Sequence, residues 1–484
     1  MNIKIRNLGV MKHADFSIGD FTILCGENNT GKTYVTYALF GFLYSWREYL
    51  RIEIGHENLE RLFREGIITL DVREYLPQIE QILSKGCQRY LGRLHEIFAS
   101  HVDRFIGVDF QINMEISDVL LDAEVNSSIS GFSGGSLGVI LSIQKDQRSS
   151  DLTVSFLTDK ERVENEKTNK ITKEIVIKFI SYALMDVLFK QQFPEPFISN
   201  AERTGIAIFH NGLNFARSKI LEGTSQPDFW RYYFKPRQVD GLSLQSMPMG
   251  NMPYMNYVMP VRFGLERMEG LESISHYKSF ITEQHPEILS DFSNIVGGNY
   301  ALTSRDDVYF TPNDMQLSLT MNESSSAVRS LLDIGFYLKH IAMPGDLLMV
   351  DEPELNLHPE NQRRVARLLS RLVNLGVKVF ITTHSDYIIK ELNTLIMLNH
   401  DKPHLRRIAE QEGYKPEELI AADKIKVYIA EEALVKLDGG HRKTKCQTLT
   451  AADIDPFMGI EARSFDTTIA AMNRIQEEIV WGEE

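Results

Sequence analysis

Apolar and polar residues alternate at the start of the chain, where Ile3, Ile5 and Leu8 begin one extended segment and Phe21-Thr22-Ile23-Leu24-Cys25 forms a second, mostly apolar run. Past residue 33 the spacing becomes helical, with Ala38, Leu39, Phe42, Leu43 and Trp46 on a recurring face. From about Leu50 to Gly270 the pattern loosens into helical segments such as Asp71 to His101, separated by stretches that alternate like strands. Gly131 to Gly138 reads as a Gly/Ser-rich turn region, and Val139-Ile140-Leu141 beyond it as strand. Glu161 to Lys190 is expected as a helix that opens with mixed charges and ends apolar. Such charges read as a solvated face, with DNA contact by the lysines as the alternative.

The second half is more regular. Residues 225–260 are rich in Pro, Met and Tyr and read as an irregular packed segment in which Met247, Met249, Met252 and Met255 fill gaps. Leu271 to Phe292 is helical around Pro286. Gly297-Gly298-Asn299 then turns the chain into strands at Tyr300 to Thr303, Val308 to Thr311 and Met315 to Thr320, an antiparallel meander. Val328, Leu331, Leu332, Gly335 and Leu338 share a helical face. Leu347-Leu348-Met349-Val350 reads as a buried parallel strand, and Pro359 opens a helix that buries Val365, Leu368, Leu369 and Leu372. Val377 to Thr382 is the next buried strand. Ile425 to Ala430 is a further strand, and a terminal helix is expected from about Asp466.

Length and composition set wide bounds. At 484 residues the chain has room for two or three domains, and a hydrophobic fraction of 43% with 24% charged residues is that of a globular protein. A net charge of −14 argues against a protein that coats nucleic acid over its whole surface, so any such contact would be local; a basic loop lies at His441-Arg442-Lys443-Thr444-Lys445. Cys25, Cys87 and Cys446 are too scattered for a disulfide framework or a zinc site, which suits a reducing cytoplasm. No window approaches the roughly 20 apolar residues of a membrane span, so no membrane partner is expected.

Chemistry enters at four places. Gly26-Glu27-Asn28-Asn29-Thr30-Gly31-Lys32-Thr33 satisfies the phosphate-loop pattern G-x-x-x-x-G-K-[ST] and lies between a strand and a helix, as its mechanism requires. Glycines let the backbone wrap phosphates, N–H groups of the loop and helix start point at the anion, Lys32 neutralises it, and Thr33 offers its hydroxyl to Mg²⁺. Gly26, Asn28, Asn29, Thr30, Gly31, Lys32 and Thr33 are therefore the candidate nucleotide contacts. Far downstream, the apolar strand ends on Asp351 and Glu352, and the strand after it ends at Thr383-His384-Ser385, where a γ-phosphate sensor would stand. Ser324, Ser325 and Ser326 open a helix; one N-cap needs a single hydroxyl, so an anion is a candidate partner for the others. Arg203, in the charged turn Ala201 to Gly205, is placed either to reach a phosphate or to pair with Glu202 or another acid.

Taken together these motifs resemble the ABC-type ATPases of the SMC, RecF and OLD-like group, firmly over about residues 1 to 45 and 295 to 400. The resemblance implies an α/β fold: an ABC-type P-loop ATPase head, with a mixed sheet flanked by helices, an antiparallel β subdomain and a long, largely helical insertion. It divides the chain into an N-terminal head segment (1–50), the insertion (51–195), the C-terminal head segment (196–400) and a strand and helix extension (401–484). It further implies ATP and Mg²⁺ as ligands, Asp351 and Thr33 at the metal, Glu352 polarising water, and His384 as the switch histidine. Ser324, Ser325 and Ser326 stand where the signature loop is offered to the ATP of a second subunit, which makes a head-to-head dimer the expected minimum assembly. The glycine pair of transporter-type signatures is missing, and His358 replaces the D-loop aspartate; Glu-Pro-Glu followed by Leu-His-Pro looks like the OLD-like branch.

Within that branch the layout is most similar to anti-phage ATPases of the Septu (PtuA) and retron-associated kind. That likeness implies a sensor or regulator whose partner, such as an HNH nuclease, does any cutting, since no nuclease constellation is visible in the sequence. DNA or retron RNA/DNA would be a further partner. A RecF-like repair ATPase that clamps DNA directly is the alternative.

Overall fold

The computed structural model describes residues 1–115, 121–133, 136–156, 173–209, 257–303, 307–436, 443–461 and 474–476. Most of the methionine-rich segment, the opening of the helix expected from Glu161, His441 and Arg442 of the basic loop, and nearly all of the expected terminal helix lie outside the described residues.

The chain begins with a hairpin of β1 (Asn2–Leu8) and β2 (Met11–Ser17), followed by β3 (Phe21–Cys25) and helix α1 (Lys32–Tyr49). Next come β4 (Ile67–Asp71), α2 (Ile79–Leu91), β5 (Asp109–Asn113), β6 (Val125–Ser133), β7 (Ser136–Lys145), β8 (Asp151–Phe156) and α3 (Lys173–Phe189). The second half holds β9 (Pro196–Ser199), α4 (Met259–Glu269), α5 (Pro286–Val296), β10 (Gly298–Leu302), β11 (Val308–Pro312), β12 (Leu319–Thr320) and α6 (Ser326–Phe336). Then follow β13 (Leu347–Asp351), α7 (Pro359–Asn374), β14 (Lys378–Thr383), α8 (Asp386–Leu398), β15 (Ile425–Lys436) and β16 (Lys443–Ala451).

One nine-stranded mixed sheet organises these elements in the order β5-β1-β2-β16-β15-β3-β14-β13-β9. The run β15, β3, β14, β13, β9 is parallel, so the loops that follow β3, β14, β13 and β9 open on one edge. β3, β14, β13 and β9 are buried on both faces, which is why their sequences are mostly apolar rather than alternating, whereas β15 is buried only over its first half. Leu24, Leu347, Met349 and Phe380 point into a core shared with α1 and α3. Phe21, Ile23, Leu348, Val350, Val379 and Ile381 point the other way, against α5, α7 and α8. A third, smaller core lies under the meander β10-β11-β12.

The strand-like stretches expected between the helices of the insertion form an antiparallel sheet, β4-β8-β7-β6; β4 pairs with a strand some eighty positions later, a partner no local pattern reveals. The strand expected over Met315 to Thr320 shrinks to Leu319–Thr320, leaving Met315 and Leu317 exposed. The C-terminal segment supplies β15 and β16 to the interior of the main sheet, where β15 runs beside β3. Among the described residues no helix is long and apolar enough to cross a membrane.

Candidate nucleotide site

The phosphate loop leaves β3 and enters α1 through backbone shapes that its sequence permits: Gly26 has φ +134°, Asn29 +63° and Gly31 +96°. A Cβ on Gly26 would stand 2.6 Å from the Ala430 carbonyl oxygen of β15, so the loop's first glycine is required by the C-terminal strand packed against it. Lys32 is buried, and its ammonium donates to the carbonyls of Gly26 (2.8 Å) and Glu27 (2.7 Å). Burial lowers the Lys32 pKa, opposed by the charges of Glu352 and Asp351. The backbone N–H groups of Glu27 to Gly31 donate to no acceptor among the described residues, which leaves them available to an anion. Asn28 and Thr33 are exposed, and the Thr30 hydroxyl closes the loop on the Glu27 carbonyl at 2.8 Å. Cys25, one residue upstream, is inert: burial pushes its thiol up to about 12.

Two strands away, the turn after β13 is shaped by side chains. Asp351 is buried and accepts a hydrogen bond from the Thr382 hydroxyl through Oδ1, while Oδ2 has no partner among the described residues. Burial, with Glu352 adding to it, pushes the Asp351 carboxyl up to about 6 against the Thr382 hydrogen bond and Arg203. Glu352 has φ +54°, a left-handed conformation rare for a residue with a side chain. It is held from both sides. Its N–H donates to the Thr382 carbonyl and hydroxyl, each at 3.1 Å, and its carbonyl accepts from the Arg203 guanidinium at 2.6 Å.

Arg203 resolves the choice left open by its sequence position, since among the described residues its guanidinium donates to backbone carbonyls and to no carboxylate. It donates to Ser330 (2.8 Å) on α6, to Asn200 (2.9 Å) after β9, and to Asp351 and Glu352 (2.6 Å each). Its neighbour Glu202 accepts from Tyr37 of α1 at 3.1 Å. A buried pair, Arg267 with Asp333 at 2.6 Å, fixes α4 to α6 beneath this turn, and the Arg267 guanidinium also lies over the Phe197 ring.

His384 lies at the end of β14, between the other two elements. Its Nδ1 stands 3.4 Å from Glu352 Oε1 and 3.3 Å from Glu354 Oε1. Glu354 is buried, and its Oε1 accepts from the Thr383 hydroxyl (2.9 Å) and the His384 N–H (2.8 Å). The parallel sheet thus gathers the phosphate loop, Asp351, Glu352 and His384 at the ends of β3, β13 and β14. It does not bring Ser324, Ser325 or Ser326 into hydrogen bonds with them among the described residues. Ser324 donates to the Thr320 carbonyl, Ser325 caps α6 by accepting from the Val328 N–H, and Ser326 is exposed. Sequence reasoning missed Glu354, Thr382 and Thr383; the second acid of Glu-Pro-Glu was the available signal.

The residues fit a nucleotide with a divalent cation. Among the described residues no group of three His, Cys, Asp or Glu could hold an ion unaided. The unpartnered Oδ2 of Asp351 and the exposed Thr33 hydroxyl suit an ion that shares its coordination with water and phosphate oxygens, the usual habit of Mg²⁺.

Residues 268–389 match the family described as AAA ATPase domain, a span that takes in α5, α6, β13 and β14 but not the phosphate loop. No curated protein matches the chain. Three solved structures similar to it are SMC heads. The Smc head bound to the C-winged helix domain of ScpA has 10% identity and a TM-score of 0.30, covering 92% of this chain and 97% of that one. The SMC head domain from Thermotoga maritima has 7% identity and a TM-score of 0.27, covering 94% and 98%. The Smc head with an extended coiled coil bound to the C-terminal domain of ScpA, from Pyrococcus furiosus, has 12% identity and a TM-score of 0.29, covering 98% of both chains. Residues 268–389 thus resemble an ATPase domain, and the fold is α/β, a large mixed sheet flanked by helices with an antiparallel sheet beside it, as expected of a P-loop ATPase head.

Proposed function

We propose that this protein binds ATP with Mg²⁺, hydrolyses it, and works as the sensor or regulator subunit of a cytoplasmic anti-phage defence complex. One observation carries the ATPase reading: Lys32 after β3 and the Asp351-Glu352 pair after β13 flank the β14 strand that ends in His384, within one parallel sheet. Lys32 and the loop N–H groups bind the phosphates. Thr33 and Asp351 would hold Mg²⁺, which would supply charge neutralisation at the phosphate oxygens. Glu352 orients and polarises the attacking water, accepting its proton as the γ-phosphorus to oxygen bond breaks toward ADP, and His384 registers the γ-phosphate. Ser324, Ser325 and Ser326 complete the site of a second copy, so two chains close over two nucleotides, and hydrolysis lets them open.

The likeness to the OLD-like branch rests on Glu-Pro-Glu followed by Leu-His-Pro, the defence reading within it rests on the layout of the chain, and the cutting is assigned to a partner because no nuclease constellation is visible in the sequence. The test is purification of the native complex together with DNA binding by the isolated chain. Recovery of a stoichiometric HNH-type nuclease, with negligible duplex affinity of the chain alone at 150 mM salt, is the expected result. A chain that purifies without a nuclease and binds duplex DNA with a steep salt dependence would instead be a RecF-like clamp.

A further inference from the structure

His384 sits between two carboxylates that differ in freedom. Glu352, on the left-handed residue after β13, has a side chain 27% exposed and a single 3.4 Å approach to the ring. Glu354 is 5% exposed, and its Oε1 meets the same residue twice, at the backbone N–H (2.8 Å) and at ring Nδ1 (3.3 Å). The Thr383 hydroxyl fixes that oxygen at 2.9 Å, and the other oxygen, Oε2, is buried. The two approaches to the ring are nearly equal in length, so what separates the carboxylates is anchoring: Glu354, fixed by the Thr383 hydroxyl and the His384 N–H, can set the rotamer and tautomer of that residue more firmly than the half-free Glu352. The N-cap of α8 links the strand end to the segment after the carboxylate turn: the Ser385 hydroxyl donates to Gln362 of α7 at 2.5 Å, and the Gln362 amide donates to the Leu357 carbonyl at 2.9 Å.

We propose that Glu354 is the positioning residue of His384: its Oε1 holds the backbone and keeps the ring proton on Nδ1, which leaves Glu352 free for water. This deepens the ATPase reading and rests on it for the kinetic part alone. Its first test needs no turnover. In the full-length chain labelled with ¹⁵N-histidine, without nucleotide, the His384 signal is assigned by its disappearance in His384→Gln. In the unmodified protein that signal is expected to report the Nδ1–H tautomer. Glu354→Ala is expected to move it to the Nε2–H form, and Glu354→Gln, which keeps an oxygen acceptor, to preserve it. Glu352→Gln should leave it unchanged. A tautomer indifferent to Glu354→Ala, or one that moves with Glu352→Gln, overturns the proposal; if Glu354→Ala fails to fold, the Glu352→Gln spectrum still decides.

The second test is a kinetic cycle. Glu354→Ala is expected to lower kcat about 10- to 100-fold, with KM for ATP changed less than about threefold. Glu354→Gln should recover much of that loss, and Glu354→Ala with His384→Ala should be no slower than His384→Ala alone. Losses that multiply would overturn the proposal. An unmodified chain without ATPase activity would defeat the underlying reading instead, with the spectra still judging Glu354.

Discussion

The loop after β3 and the turn after β13 stand two strands apart on one edge of the parallel sheet, and they keep their shapes by different means. The phosphate loop is set mainly by its own backbone: glycines at positive φ, a lysine folded onto the loop's own carbonyls, and N–H groups that meet no acceptor among the described residues, with Gly26 the position that β15 dictates. The carboxylate turn is set from outside. Thr382 holds Asp351 and the N–H of Glu352, Arg203 holds both carbonyls, and Glu354 reaches across to β14. A loop built from backbone can be recognised in a short pattern. A turn held by residues about 30 and 150 positions away cannot, even where its acids are plain to read.

That contrast is open to test by paired substitutions. Arg203→Ala removes a donor from three buried carbonyls and one half-buried one and releases a strained glutamate, so it should cost roughly 3 to 5 kcal/mol of stability. Lys32→Ala should do the reverse, lowering nucleotide affinity roughly 100-fold while the melting temperature moves by only about 2 °C. If calorimetry and nucleotide titration gave both variants the same profile, the distinction between the two regions would be lost. Gly26→Ala sharpens it from the loop side. A Cβ 2.6 Å from the Ala430 oxygen at φ +134° should cost roughly 2 to 3 kcal/mol, read by chemical denaturation.

A smaller effect, dependent on pH, is expected at the far end of α1. Burial pushes the Glu48 carboxyl up to about 7 from an ordinary 4.5, against the pull of Arg93 and Lys178. The unfolded chain therefore loses this proton first. Glu48 imposes no penalty below about pH 4.5, a growing one between 4.5 and 7, and a constant one above. Glu48→Gln should stabilise the protein at pH 8 by about 2 kcal/mol after allowance for partial exposure, and by nothing at pH 4. A gain of equal size at both pH values would show that packing, not charge, is responsible. Smallest of all, Ser325→Ala removes the cap of α6 and should cost about 1 kcal/mol, without disturbing nucleotide binding within one chain.

The same contrast explains what the sequence disclosed. β3, β13 and β14 were legible because burial on both faces writes an unbroken apolar run, and the Pro359 and Val328 helices because their faces repeat at helical spacing. Arg203 stayed ambiguous because its partners are carbonyls, which any residue supplies and no sequence displays. Glu354 passed unnoticed for a related reason: its partners, Thr383 and His384, lie 29 and 30 positions away. Over Met315 to Thr320 the alternation was real, but only Leu319 and Thr320 find partners, on β11. β15 could be read as a strand, yet not as the neighbour that dictates Gly26.

The measurement closest to the central claim is the solution mass of Glu352→Gln, by light scattering, with and without ATP and Mg²⁺. A site that binds nucleotide but cannot turn it over should hold two chains together. The mass is expected to double with ATP and Mg²⁺, and to return to that of one chain without nucleotide or when Lys32→Ala is added. A single-chain mass under every condition, alongside measured ATP binding, would contradict a site completed by a second copy.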